Sequence, residues 1–354
     1  FERHDGQAVT TEDFVKAMED ASGVDLTQFR LWYSQAGTPR VKASGKFDAQ
    51  NKTYTLRVEQ SCPATPDQPV KKPQHIPMRM GLLDLRGQEI ALSLQGETEQ
   101  GALERVLDIT QGSEDFVFTG IVEAPVPSLF RGFSAPIKLS FDYTRDELIF
   151  LMTHDSDGFN RWNAAQFLTV GVMTDMLRDY QAGRSLMLDQ RVITAFDATL
   201  ESCIDKMRAG TEQDKAMVAQ LLALPSEAYL SELADEIDVA GIHIVREHVA
   251  DVLAKTLASK FATLYDLNVS TEPYRADGTG IARRALKNIC LAYLMRTQNT
   301  HWLQVCKEQF DAADNMTDVN AALRLLVNCA MPEAEAVRES VLASFYDKWQ
   351  EEAL

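Results

Sequence analysis

Hydrophobic spacing changes along this chain and divides it into three stretches. Up to about residue 38 the apolar positions are helical: Phe14, Val15, Met18 and Ala21 share a face, and Thr10 with Asp13 forms a capping-box pattern ahead of them. A second short helix is predicted from Asp25 as cap through Leu26, Phe29, Leu31, Trp32 and Tyr33, ended by Gly37 and Pro39. Two short helices this aromatic cannot cover their apolar faces against each other alone. They read as the end of an earlier domain whose partner is missing.

From about residue 40 to 143 the period becomes two. Tyr54, Leu56 and Val58 alternate with Thr55, Arg57 and Glu59, and Ile76, Met78, Met80 and Leu82 alternate with mostly polar or small neighbours. Further strands are predicted at Ile90 to Leu94, Val106 to Ile109, Phe116 to Phe118 and Ile137 to Phe141, with prolines at edges and in loops. Short alternating strands without an intervening helical pattern indicate an antiparallel β-sandwich.

After about residue 144 apolar residues return to three- and four-residue spacing through 159–181, 187–209, 212–223, 238–266, 279–297, 315–330 and 332–351. Thr211, with Asp214 three residues on, is placed as a helix cap, Asp157 as another, and Thr317 and Pro332 at further helix starts. Helices of these lengths joined by short turns stack as hairpins, and a curved array is expected, although no fixed-period repeat is visible. The fold class is therefore multidomain α+β. Its segments are 1–38 (helices ending an earlier domain), 39–143 (sandwich) and 144–354 (all-α array).

Composition narrows the function classes. The 354 residues exceed what one core usually supports, and 45% hydrophobic with 25% charged residues is ordinary for a globular protein. A net charge of −17 opposes nucleic-acid binding, because phosphate contacts need clustered Lys and Arg. No apolar run approaches the roughly 20 residues that span a bilayer. The five cysteines, Cys62, Cys203, Cys290, Cys306 and Cys329, form no C-x-x-C pair and read as reduced, buried thiols suited to a cytoplasmic location.

Motifs for chemistry are missing. No histidine precedes a glutamate, so the H-E-x-x-H pattern of a zincin is excluded. His243 and His248 are five apart, which on a helix turns them about 140° from each other; they read as half-buried, with Glu247 exposed. His154-Asp155-Ser156-Asp157-Gly158 has the wrong order for a calcium loop, and Gly278-Thr279-Gly280 lacks the third glycine of a dinucleotide loop. No catalytic, cofactor-binding or metal-ligating residue is assigned.

Several stretches, in order along the chain, resemble the bacterial aminopeptidase N (alanyl aminopeptidase) family of zinc gluzincin metallopeptidases. They are Phe1 to Gly6, Thr11 to Ala21, Phe29 to Pro39, Cys62 to Gln68, Phe133 to Pro136, Phe159 to Gln166 and Asn315 to Asp318. The resemblance implies a thermolysin-like catalytic domain holding one zinc, of which residues 1–38 would be the last helices, then the sandwich and the first part of a helical domain. That domain would continue past the segment at Asp347 to Trp349, so truncation at both ends is expected. The implied activity is removal of N-terminal residues from short peptides, with zinc in the intact enzyme and none bound by this segment. The implied partners are peptide substrates and the missing catalytic and C-terminal segments, with neither nucleic acid nor membrane. The family's G-A-M-E-N motif has only a superficial echo at Ala17 to Asp20, so Glu19 is read as a helix-surface residue. The rival reading is a non-catalytic helical array that binds a peptide or protein partner.

Overall fold

The computed structural model describes residues 2–98, 101–211 and 214–351. The chain forms two compact units, residues 1–160 and 161–354.

The first unit opens with α1 (Thr11–Ser22), where the expected capping box is present: the Thr10 side chain accepts from the Asp13 amide and Asp13 accepts from that of Thr10. The second predicted helix shrinks to α2 (Leu31–Ser34). Asp25 spends its carboxylate on the Thr27 amide two residues on, which makes a turn in place of a helix cap. Trp32 finds a partner within the unit. Its indole packs against the sandwich core and donates to the His75 carbonyl at 2.8 Å. Phe14 and Met18 remain 56% and 47% exposed.

Among the described residues nine strands follow: β1 (Arg40–Asp48), β2 (Thr53–Ser61), β3 (Ile76–Leu83), β4 (Glu89–Ile90), β5 (Ser93–Leu94), β6 (Arg105–Ile109), β7 (Ser113–Thr119), β8 (Val126–Leu129) and β9 (Lys138–Ser140). One sheet has the order β5-β7-β2-β1-β9, antiparallel except for the β1/β9 pair, which is parallel. In the other, β3 pairs with β4, β6 and β8. The predicted strand at Ile90 to Leu94 is thus two short strands in different sheets. Pro77 lies inside β3, not at an edge; its missing N–H falls where β3 pairs with β6 alone. The core is filled from both sheets by the inward residues of the alternation, including Leu56, Val58, Met78, Met80 and Phe118. A one-turn 3-10 helix (Arg131–Phe133) and α3 (Arg145–His154), which is capped by the box of Thr144 and Glu147, complete the unit.

Helix α4 (Gly158–Gln181) begins at the end of the first unit and continues into the second. The expected cap at Asp157 is present, its carboxylate accepting from the Asn160 amide at 2.8 Å. Then come α5 (Gln190–Arg208), α6 (Lys215–Leu222), α7 (Glu227–Glu232), α8 (Val239–Thr256), α9 (Ala258–Asn268), α10 (Gly278–Met295), α11 (Thr300–Ala312), α12 (Met316–Val327) and α13 (Ala334–Glu351). Asp214, not Thr211, caps α6, accepting from Met217. The predicted helix 238–266 breaks at Leu257, which leaves helical geometry (φ −110°, ψ 17°) with its side chain buried. No glycine or proline marks that break, so only packing decides it. Helix α10 is central: it packs against α6, α8, α9, α11 and α12. Tyr293 shows how tightly, stacked on Phe261 at 4.4 Å between ring centres and donating to the Leu222 carbonyl at 2.7 Å.

Candidate functional site

A cavity lies within the helical unit, a groove of about 730 Å³ walled by α8, α10, α12 and the turn after α12. Its size falls in the range of small-ligand sites. Part of the lining is apolar, with Ala250, Ile289, Ala292 and Leu325, and part carries charge.

Helical spacing explains the charged wall. Glu247 and Asp251 sit four apart on α8 and therefore share a face. Arg296, just past the end of α10, reaches both: Nε donates to Asp251 at 2.9 Å and Nη2 to Glu247 at 2.7 Å. Burial works to lower the Arg296 pKa, but the carboxylates of Glu247 and Asp251 outweigh it and hold the guanidinium above its usual value. Arg246 donates to the Pro225 carbonyl at 2.9 Å and approaches the same Glu247 at 3.4 Å. Arg324 of α12 differs from both. It is exposed, and among the described residues its guanidinium makes no hydrogen bond or ion pair.

Neutral polar groups complete the lining. Asn288 is fixed from behind, donating to Asp318 at 2.8 Å and accepting from Gln309 at 2.9 Å. Asp318 is itself buried and neutralised by Lys287 at 2.7 Å. Gln298 carries a left-handed backbone (φ 54°), unusual for a residue with a side chain.

The residues weighed from sequence are scattered. His243 is exposed and bonded to Glu227 at 2.8 Å, His248 is half-buried, and Glu247, expected to be exposed, is partly covered and paired with Arg296. Glu19 is not a free surface residue. Its side chain is 13% exposed and takes two bonds from Arg30, at 2.7 and 3.1 Å. With Arg30 the larger influence and the Leu26 amide second, its pKa is pulled down to about 2. Among the described residues no group of three or more His, Cys, Asp or Glu could hold a metal ion. The zinc implied by the family resemblance has no fitting donor set there. Among the described residues no helix is long and apolar enough to cross a membrane.

Comparison with known proteins accounts for both units. A family model described as ARM repeats of a domain of unknown function, DUF3458_C, matches residues 145–354. The chain belongs to the DUF3458_C family. The companion DUF3458 model, described as an Ig-like fold, matches residues 37–142. Among curated relatives, aminopeptidase N of Escherichia coli (strain K12) is 40% identical over 355 residues, covering 100% of this chain and 39% of that protein. Aminopeptidase N of Haemophilus influenzae is 35% identical over 99% of this chain and 38% of its own length. The crystal structure of Legionella pneumophila aminopeptidase A in complex with aspartic acid matches with a TM-score of 0.79 and 27% identity, over 99% of this chain and 38% of that one. The chain thus spans under two-fifths of the length of the curated relatives it matches. The resemblance to aminopeptidase N read from the sequence motifs is borne out, as is the multidomain α+β class with a β-sandwich followed by a helical array.

Apart from Glu247, read as exposed beside His243 and His248, the groove residues of this DUF3458_C member were not singled out by sequence. Arg246 on α8, Arg296 just past the end of α10 and Arg324 on α12 belong to no motif. The spacing of Glu247 and Asp251 was the available signal, and it is the ordinary spacing of a solvated helix face.

Proposed function

We propose that this chain is the sandwich and helical-array portion of a cytoplasmic zinc aminopeptidase that removes N-terminal residues from short peptides. In this reading residues 1–38 are the last helices of the catalytic domain, 39–143 a spacer sandwich, and 144–354 the first part of a helical domain that restricts access to short, unfolded peptides. No residue of the chain acts as a catalytic, cofactor-binding or metal-ligating group, and the zinc belongs to another part of the polypeptide. The acidic balance of the chain argues against a nucleic-acid partner. The observation that carries the reading is the end-to-end similarity, 40% identity over 100% of the chain, to a protein named aminopeptidase N.

The test compares this 354-residue chain with the product of its full reading frame. The full product is expected to hold one zinc per chain and to release a chromophore from an aminoacyl substrate, and the 354-residue chain to do neither. Zinc that survives dialysis in the shorter chain, or a full reading frame without H-E-x-x-H, would overturn the proposal. The groove favours the second reading, a binding module, and the same comparison separates them: a full product that binds peptides without hydrolysing them supports the module.

A further inference from the structure

We infer that the groove between α8, α10 and α12 is a binding site for the free C-terminal carboxylate of a short apolar peptide, with Arg324 as the group that pairs with it. The choice of a peptide rests on the function proposed above. The carboxylate and the residue that takes it rest on the groove itself.

Charge comes first. The chain has 52 acidic and 35 basic residues, yet three guanidiniums, Arg246, Arg296 and Arg324, line one cavity. Arg296 is consumed by Glu247 and Asp251, and Arg246 shares Glu247 while bonding the Pro225 carbonyl. Of the three guanidiniums, that of Arg324 alone keeps all its donors unused among the described residues, and a guanidinium fork suits a carboxylate through two parallel charge-assisted bonds.

The surroundings set the ligand's valence and character. Glu247 and Asp251 are already paired with Arg296 and Arg246, so the lining is left with about one uncompensated positive charge, on Arg324, which a single carboxylate balances while the second charge of phosphate would go unpaired. Ile289, Ala292, Met295 and Leu325 supply apolar surface for side chains next to that carboxylate. Asn288 is held by Asp318 and Gln309, so this part of the wall is organised before any ligand arrives. The volume of about 730 Å³ accommodates a few residues and no folded partner.

Isothermal titration of the 354-residue chain with a tetrapeptide of alternating alanine and leucine, as free acid and as C-terminal amide, tests this. The acid is expected to bind about tenfold more tightly than the amide. Arg324→Gln should reduce the acid to the affinity of the amide, and Arg324→Lys should retain part of the difference. Thermal unfolding should be unchanged in both variants, because the Arg324 guanidinium bonds to no other residue among the described residues. Acetate should compete at least as well as inorganic phosphate. Equal affinity for acid and amide, no loss on Arg324→Gln, no binding of either peptide at millimolar concentration, or stronger competition by phosphate would each overturn the assignment. All of these read binding alone, so failure here is distinct from failure of the aminopeptidase reading, which is decided by hydrolysis in the full product.

Discussion

Arg131 donates to Asp155 at 3.1 Å with 1% of its own side chain and none of the aspartate's exposed to solvent. The pair is held by its neighbours. Arg131 also donates to Ser128 at 2.8 Å and to Glu89 at 2.7 Å, and Asn160 donates to the same Ser128 hydroxyl at 2.8 Å. Burial, opposed by Ser128 and Arg131, leaves the Asp155 carboxyl above its ordinary pKa. The backbone around Arg131 is bent to deliver it: Phe130, Gly132 and Phe133 have φ of 56°, 61° and 54°. Gly81 leaves the space, since a Cβ there would lie 2.4 Å from the guanidinium carbon.

Removing one partner of such a pair strands the other charge in the interior. Arg131→Ala is expected to destabilise the chain by about 3–5 kcal/mol, read by urea unfolding. Gly81→Ala should also destabilise it by pushing on the guanidinium, whereas an alanine at Gly112, where a Cβ meets nothing within 4 Å, should not.

The Glu19 carboxylate gives α1 and α2 an acid-sensitive tie. Its folded pKa of about 2 lies below the ordinary 4.5, so its contribution to stability is fully present above about 4.5 and is lost as pH falls toward 2. Glu19→Gln should abolish that part of the pH dependence. Trp32 fluorescence followed between pH 5 and 2, in native chain and variant, reads the loosening.

Tyr293→Phe keeps the ring stacked on Phe261 but removes the hydroxyl that satisfies the buried Leu222 carbonyl. A loss of about 1–3 kcal/mol is expected in thermal or denaturant unfolding. Hydrogen exchange should quicken at the end of α6 before it does in α12.

Thiol chemistry should separate Cys62 from the rest. Cys203, Cys290, Cys306 and Cys329 are buried, and burial pushes the thiols of Cys203 and Cys306 up to about 11 and 12, so thiolate is scarce there. Cys62 is half-buried. A chromogenic disulfide reagent is expected to label one thiol quickly in the native chain and the others only after unfolding, and rapid labelling of two or more would contradict this burial.

Local rules were legible at particular residues. Thr10 with Asp13 and Asp157 before Phe159 cap their helices as their spacing predicts, and the alternation from Tyr54 to Val58 puts those apolar side chains in the core. Other elements left weaker traces. Helix α11 (Thr300–Ala312), capped by Asn299, was not among the helices expected from spacing, and the break at Leu257 has no glycine or proline to announce it.

By itself the sequence determined the order of sandwich and helices, the faces they bury, and a family resemblance, because backbone period and capping depend on residues a few positions apart. Only the tertiary structure decided that Arg131 is buried, that Trp32 completes the sandwich core, and that Arg324 faces a groove with Arg246 and Arg296 already engaged. Those outcomes depend on which distant side chains bring compensating charge or leave it out. Arg131 meets Asp155 across 24 residues and Arg296 meets Glu247 across 49, and no local spacing encodes either encounter.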